Sequence, residues 1–240
     1  YNRAEKSFDN SIFYDSFVTG LCQAMDLPES ARQALLVNAN LAMQTLDERG
    51  LSPYRTFDSI SRFAELLSKS RGEAFCPRIT ACRLTAETSL TLIEPPCGSN
   101  TAILTHGEDV LFLDSGYACY EQEMLALFRQ LVPDFDRRKK TILVTHADVD
   151  HCGLLPVFDE ILVSAKSAQC LRLEAAGQDG FREQNPLHKP YIQICKLLTG
   201  YCPAPTERLR IRWGDLAPLS CPLAPIGEFS FGDLQFSVYE

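Results

Sequence analysis

Between positions 146 and 151 the chain reads His-Ala-Asp-Val-Asp-His, which places two imidazoles and two carboxylates within six residues. All four side chains are ordinary ligands for divalent first-row metals, through neutral ring nitrogens and carboxylate oxygens. In a tight loop, side chains two apart can point to one side. His146 and Asp148 can therefore meet one cation while Asp150 and His151 turn toward a second. Paired cations suit hydrolysis: each lowers the pKa of a bound water, and together they hold nucleophile and scissile group while neutralising charge in the transition state. The plainer alternative is a polar loop capped by a helix, with Asp148 or Asp150 as the N-cap and both histidines in solvent.

The elements around this cluster decide whether its side chains converge. Thr141 to Val144 is a short β-rich run of the kind buried in a sheet, and it delivers the chain directly into Thr145 and His146. Upstream, Cys82 to Ile93 alternates apolar residues with threonine and predicts a strand ended by Pro95-Pro96. Asn100 to Thr105 and Val110 to Leu113 predict a hairpin around His106-Gly107-Glu108-Asp109, running into Asp114-Ser115-Gly116. In that turn His106 reads as a solvated loop residue. Glu123 to Leu131 predicts a helix, as do Gly153 to Phe158 and Ser167 to Ala175, with a strand over Glu160 to Ser164. Residues 177–206 read as an insertion with a helix from Tyr191 to Leu198. Strands are expected at Leu209 to Trp213 and from Phe229 through Phe236 to Tyr239, turning at Gly232-Asp233. Alternating strands and helices over this half indicate a layered α/β domain at 76–240.

Residues 1–75 read differently. Phe13, Phe17, Leu21 and Ala24 recur at helical spacing, as do Ala31, Leu35, Ala39, Ala42 and Leu46, and again Phe57, Ile60, Ala64 and Leu67. Pro28 can open the second of these helices and Gly50 can close it. Three amphipathic helices make a small bundle or a cap. No histidine occurs in the first 105 residues, so this region supplies shape or partner contacts rather than imidazole ligands.

The 240 residues are 45% hydrophobic, enough for at least one sizeable core. A net charge of −8 disfavours a general nucleic-acid binder, and the basic run Arg137-Arg138-Lys139-Lys140 reads as a solvated loop. The ten cysteines are scattered without a disulfide framework, which points to a reducing, cytoplasmic setting. Most read as small core hydrophobes, with Cys152 to be watched because it adjoins the cluster. No apolar run approaches a bilayer span, and the N-terminus does not look like a signal peptide. The chain begins at Tyr1 and ends at Glu240 within an expected strand, as an excised or processed segment would.

The pattern resembles the metallo-β-lactamase superfamily, whose signature His-x-His-x-Asp-His follows a strand and precedes a glycine. Here Asp148 replaces the second histidine, and Cys152-Gly153 follow. Ser99-Asn100-Thr101 entering a strand, and Val110 to Leu113 leading into Asp114-Ser115-Gly116, look like the family's early strands and its aspartate-x-glycine turn. The resemblance covers residues 80–176 well and is looser to 240. It implies an αββα sandwich, incomplete here, preceded by the helical region. It also implies two divalent metal ions, zinc foremost, with His146 and Asp148 on one and Asp150 and His151 on the other. Asp150 would also accept a proton from water, and Asp114 would fix an imidazole by hydrogen bonding.

Two departures accompany the resemblance. A carboxylate at 148 shifts preference from zinc toward manganese or iron. Aspartate at this place resembles the β-lactamase-like domain of bacterial DNA-uptake channel proteins, while glutamate there marks di-iron flavoprotein reductases. The family also needs a later histidine in a glycine-flanked turn. Only His188 follows His151, in a setting unlike that turn, so the intact protein is expected to continue past Glu240. The sequence thus predicts a metal-dependent hydrolase acting on a small-molecule ester, thioester, lactone, amide or phosphodiester. Its rivals are a di-iron oxidoreductase of the flavodiiron type and a non-catalytic metal-binding or scaffold protein.

Overall fold

The structure is a computed structural model that describes residues 6–214, 225 and 227–239; the side chains of residues 6–14, including the expected core residue Phe13, and the terminal Glu240 lie outside the described residues. The chain forms two compact units, one of residues 1–74 with 179–201 and one of residues 75–178 with 202–240.

The helical unit contains α1 (Lys6–Met25), α2 (Glu29–Glu48), α3 (Pro53–Lys69) and α6 (Lys189–Thr199). Helix α2 follows extended Pro28 and ends in a Schellman arrangement. Gly50, at φ +67°, donates to the Asp47 carbonyl and Leu51 donates to that of Leu46. Leu35, Ala39, Ala42 and Leu46 of α2 and Phe57, Ile60, Ala64 and Leu67 of α3 are buried, and the Phe17 and Phe57 rings meet edge-on at 4.7 Å. On α1 the buried stripe runs through Phe17, Val18, Leu21 and Met25, with Ala24 at its margin. Helix α6, expected within an insertion at 177–206, packs against α2. Ile194 and Leu198 give it an apolar face, and Lys196 holds the buried carboxylate of Glu183.

The α/β unit is built on a seven-stranded sheet ordered β1 (Arg78–Arg83), β2 (Thr88–Glu94), β3 (Thr101–His106), β4 (Asp109–Leu113), β5 (Thr141–Leu143), β6 (Glu160–Ser164) and β7 (Leu209–Trp213). Strands β1 to β4 form an antiparallel meander and β4 to β7 run parallel. Helix α4 (Glu121–Leu131) connects β4 to β5, and α5 (Ala165–Ala175) follows β6 and packs on β6 and β7. A separate hairpin joins β8 (Gly227–Phe231) to β9 (Leu234–Val238).

Side chains alternate between the faces of the sheet. Phe112 of β4 points to one face, where its ring meets those of Phe128, Phe135 and Phe158 at 5.0–6.0 Å. Its neighbours Leu111 and Leu113 point to the other. There, with Leu104, Leu143 and Leu162, they pack under Phe229, Phe231, Leu234 and Phe236 of the hairpin. The unit is therefore a mixed α/β sandwich, with helix, sheet and a second, two-stranded β layer in turn.

Three local expectations are corrected. The run Cys82 to Ile93 is not one strand: it breaks at Thr85, whose hydroxyl accepts the N–H groups of Glu87 and Thr88 and turns the chain from β1 into β2. The helix expected at Gly153 to Phe158 is a single 3₁₀ turn, Leu155–Val157, because Pro156 lacks the N–H that an α-helix would require there. His106 is no solvated loop residue. It ends β3, its Nδ1 lies 2.8 Å from the Thr88 hydroxyl, and Thr88 also bonds Asp233 in the β8–β9 turn. Gly232 of that turn lies so close to the His106 ring that a Cβ would come within 2.3 Å of it. This cluster clasps the hairpin to the sheet.

Phe112 is 1% exposed at the centre of the aromatic cluster. Replacing it with Ala should lower the unfolding free energy by about 3–5 kcal/mol, read as a shifted urea midpoint; a change below about 1 kcal/mol would mean that the cluster does not hold the layers.

Candidate metal centre

Strands β4 and β5 are parallel neighbours, so their C-terminal ends lie side by side, and the segments that follow them meet. Asp114 follows β4 and Thr145 follows the end of β5. The loop after β5 begins where Val144 donates to the Leu162 carbonyl, and it tightens where the Asp148 carbonyl accepts the N–H groups of His151 and Cys152. That turn replaces the helix N-cap that the plainer reading expected.

Two hydroxyls grip the backbone of this loop. Ser99 donates to the Asp150 carbonyl at 2.6 Å and Ser115 donates to that of His151 at 3.0 Å, while Ser115 also accepts the Leu154 N–H. Gly153 donates to Gly116 O at 3.1 Å, and a Cβ at position 153 would stand 2.3 Å from that oxygen. Only glycine allows this approach, which explains the glycine after the cluster.

Asp114 sits at the hub. Its backbone has φ +54°, a left-handed conformation that aspartate tolerates better than most residues, at a cost of order 1–3 kcal/mol. Its carboxylate is buried and fully engaged. Oδ1 accepts the Thr145 N–H at 2.9 Å, and Oδ2 accepts the Thr145 hydroxyl at 2.7 Å and His151 Nδ1–H at 2.8 Å. The turn position and the bond to an imidazole, weighed as alternatives from the sequence, coexist in one residue.

The four side chains of the cluster lie together in two pairs. His146 Nε2 is 3.3 Å from Asp148 Oδ2, His151 Nε2 is 3.8 Å from Asp150 Oδ2, and the two imidazole centroids are 3.9 Å apart. Two donors on one tetrahedral cation, each bonded at about 2.0–2.2 Å, stand roughly 3.3–3.5 Å from each other. The His146–Asp148 pair has that bite, and the Asp150–His151 pair is slightly wider. No group of three or more His, Cys, Asp or Glu side chains among the described residues closes into a single ligand set. Imidazole nitrogens and carboxylate oxygens are donor types that a divalent cation accepts.

Burial alone would depress the pKa of His151, but the hydrogen bond and charge of Asp114, with Asp150 and Asp148 nearby, outweigh it and raise the value above the ordinary one. Cys152 is buried, with its Sγ directed to the His146 carbonyl at 3.6 Å, and burial pushes its thiol far up. It packs beneath the loop and is not aimed among the donors. His188 precedes α6 in the helical unit. Sequence reasoning did not single out Thr145, Ser99 or Ser115 as parts of the site. A hydroxyl immediately before His146, and the central residue of the Asp-Ser-Gly turn, were the available signals.

Residues 95–166 match the family model described as the metallo-beta-lactamase superfamily. The matched segment holds Asp114 and the whole 145–151 loop. No curated protein shows significant similarity to it. Among solved structures it is similar to Rm3 metallo-beta-lactamase, with 19% identity over 65% of this chain and 49% of that one and a TM-score of 0.42. It is also similar to a metallo-beta-lactamase from Pontibacter korlensis, with 13% identity, coverage of 43% and 50%, and a TM-score of 0.28. Metallo-beta-lactamase FIM-1 from Pseudomonas aeruginosa in the mono-zinc form shows 14% identity, coverage of 42% and 48%, and a TM-score of 0.29. The chain spans about half the length of these solved relatives. No helix among the described residues is long and apolar enough to cross a membrane.

The raised pKa of His151 has a definite sign. In the metal-free protein the stability from its pairing with Asp114 is full below the ordinary histidine pKa and is lost as pH rises through the raised one. The difference in thermal midpoint between wild type and Asp114→Asn should therefore be largest on the acid side, within the range where carboxylates stay ionised, and shrink toward alkaline pH. A difference that grows with pH would contradict the pairing.

Proposed function

We propose that this chain carries the site of a metal-dependent hydrolase that acts on a small-molecule ester, thioester, lactone, amide or phosphodiester. The observation that carries the reading is the convergence of His146 with Asp148, and of His151 with Asp150, on one loop of a superfamily segment, with His151 held from behind by Asp114. His146 and Asp148 would hold one divalent cation, and Asp150 and His151 a second. Zinc is the first choice. The oxygen donor at Asp148 favours manganese or iron more than a third imidazole would. When bound, such cations supply a water acidified enough to act as a nucleophile near neutral pH and an electrophile for the scissile group.

The chain's own contribution is positioning and proton traffic. Asp114 keeps the His151 proton on Nδ1, so Nε2 turns its lone pair to the Asp150 side. Asp150, whose backbone carbonyl is held by Ser99, would be the carboxylate to accept a proton from water. The charge of −8 supports a small substrate over a nucleic acid. So does the basic run, where Lys139 pairs with Glu160 and Lys140 with Asp159. Cys22, Cys76, Cys82, Cys97 and Cys152 are thiols, which supports a reducing, cytoplasmic setting.

Zinc uptake tests the reading. The double variant His146→Ala, His151→Ala should lose stoichiometric zinc binding, measured by elemental analysis after gel filtration, while circular dichroism shows the fold retained. Undiminished zinc in that variant would place the ligands elsewhere.

A further inference from the structure

We propose that Thr145 is a positioning residue that sets the tautomer of His146, extending the influence of the Asp114 carboxylate from one imidazole of the loop to the other. The inference deepens the metal-site reading and rests on it for its consequence, although the relay itself is a property of the metal-free protein.

The argument is a count of protons. A threonine hydroxyl has one hydrogen to donate and two lone pairs with which to accept. The Thr145 hydroxyl lies 2.7 Å from Asp114 Oδ2, 3.0 Å from His146 Nδ1 and 3.4 Å from His151 Nδ1. The carboxylate is the shortest of the three contacts and the only ionised acceptor, so it takes the hydrogen. The Thr145 backbone N–H to Oδ1 locks this geometry by fixing the carboxylate plane against the same residue.

With its hydrogen committed, Thr145 accepts from His146, so this contact holds a proton on Nδ1 of that ring against the pull of the Asp148 carboxylate on Nε2. His151 is driven to the same state directly, because Asp114 Oδ2 accepts its Nδ1–H at 2.8 Å. Both neutral rings then bear their lone pair at Nε2, the atom that faces Asp148 in one pair and Asp150 in the other. Free histidine prefers the opposite tautomer, with the proton on Nε2, where it would obstruct a cation. One buried carboxylate therefore prepares two imidazoles, the second through the hydroxyl.

The test is imidazole nitrogen NMR on the metal-free, ¹⁵N-histidine-labelled protein at a pH where the rings are neutral. Wild type and Thr145→Ser should show His146 and His151 both protonated on Nδ1. Thr145→Val, similar in shape but without a hydroxyl, should shift His146 toward the Nε2–H form and leave His151 on Nδ1, since its bond to Asp114 remains. The unmoved His151 signal reports that the loop is still folded. An unchanged His146 tautomer in Thr145→Val overturns the relay.

Zinc affinity, read by competition with a chromophoric chelator, should fall about 10- to 100-fold in Thr145→Val and recover in Thr145→Ser. Equal affinity in all three proteins overturns the positioning role. If the tautomer responds but wild type takes up no zinc, the relay stands and the metal-site reading is what fails.

Discussion

The site depends on one buried carboxylate. Asp114 accepts three hydrogen bonds, two from Thr145 and one from His151, and it does so from a left-handed backbone position at the end of a strand. An ionised carboxylate withdrawn from water is costly unless charge-assisted bonds compensate it. Here the compensating donors are the parts of the loop that must be oriented. The requirement to satisfy Asp114 is thus also the restraint that aligns the candidate ligands, and it explains why an uncommon backbone conformation is tolerated there.

Strand topology supplies the meeting point. In open α/β sheets, sites form beyond the carboxyl ends of parallel strands. The switch from antiparallel to parallel pairing occurs at β4, so β4 and β5 are the first pair whose C-terminal ends coincide. Asp114 leaves one and Thr145 the other. The remainder of the α/β unit serves that junction: the Phe112 cluster fixes β4 against α4, and Ser99, Ser115 and Gly153 fasten the loop backbone to the turns beside it. The hairpin seated on the opposite face by the Thr88–His106–Asp233 clasp encloses the leucine layer beneath.

Much of this was legible in the sequence, for physical reasons that differ by region. The stripes of α2 and α3 and the parallel strands at 141–143 and 160–164 follow from periodicity, because burial on one face or both leaves a direct mark on residue type. The cluster at 146–151 was legible because four ligand-type side chains in six residues have few structural uses. The break between β1 and β2 was hidden because threonine serves equally as a strand residue and as a turn former through its hydroxyl. The packing of α6 on α2 was hidden because periodicity reveals an apolar face without naming its partner. His106 was misread for a similar reason: its anchor, Asp233, is more than a hundred residues away in sequence.

The central claim is that the 145–151 loop presents its donors to cations, and the most direct measurement is anomalous diffraction at the zinc edge from crystals of the protein grown with zinc. The account predicts an anomalous peak within about 2.0–2.2 Å of His146 Nε2 and an Asp148 carboxylate oxygen, with any second peak between Asp150 and His151. A zinc-loaded crystal with no peak at this loop, or with peaks only at unrelated surface residues, would contradict it.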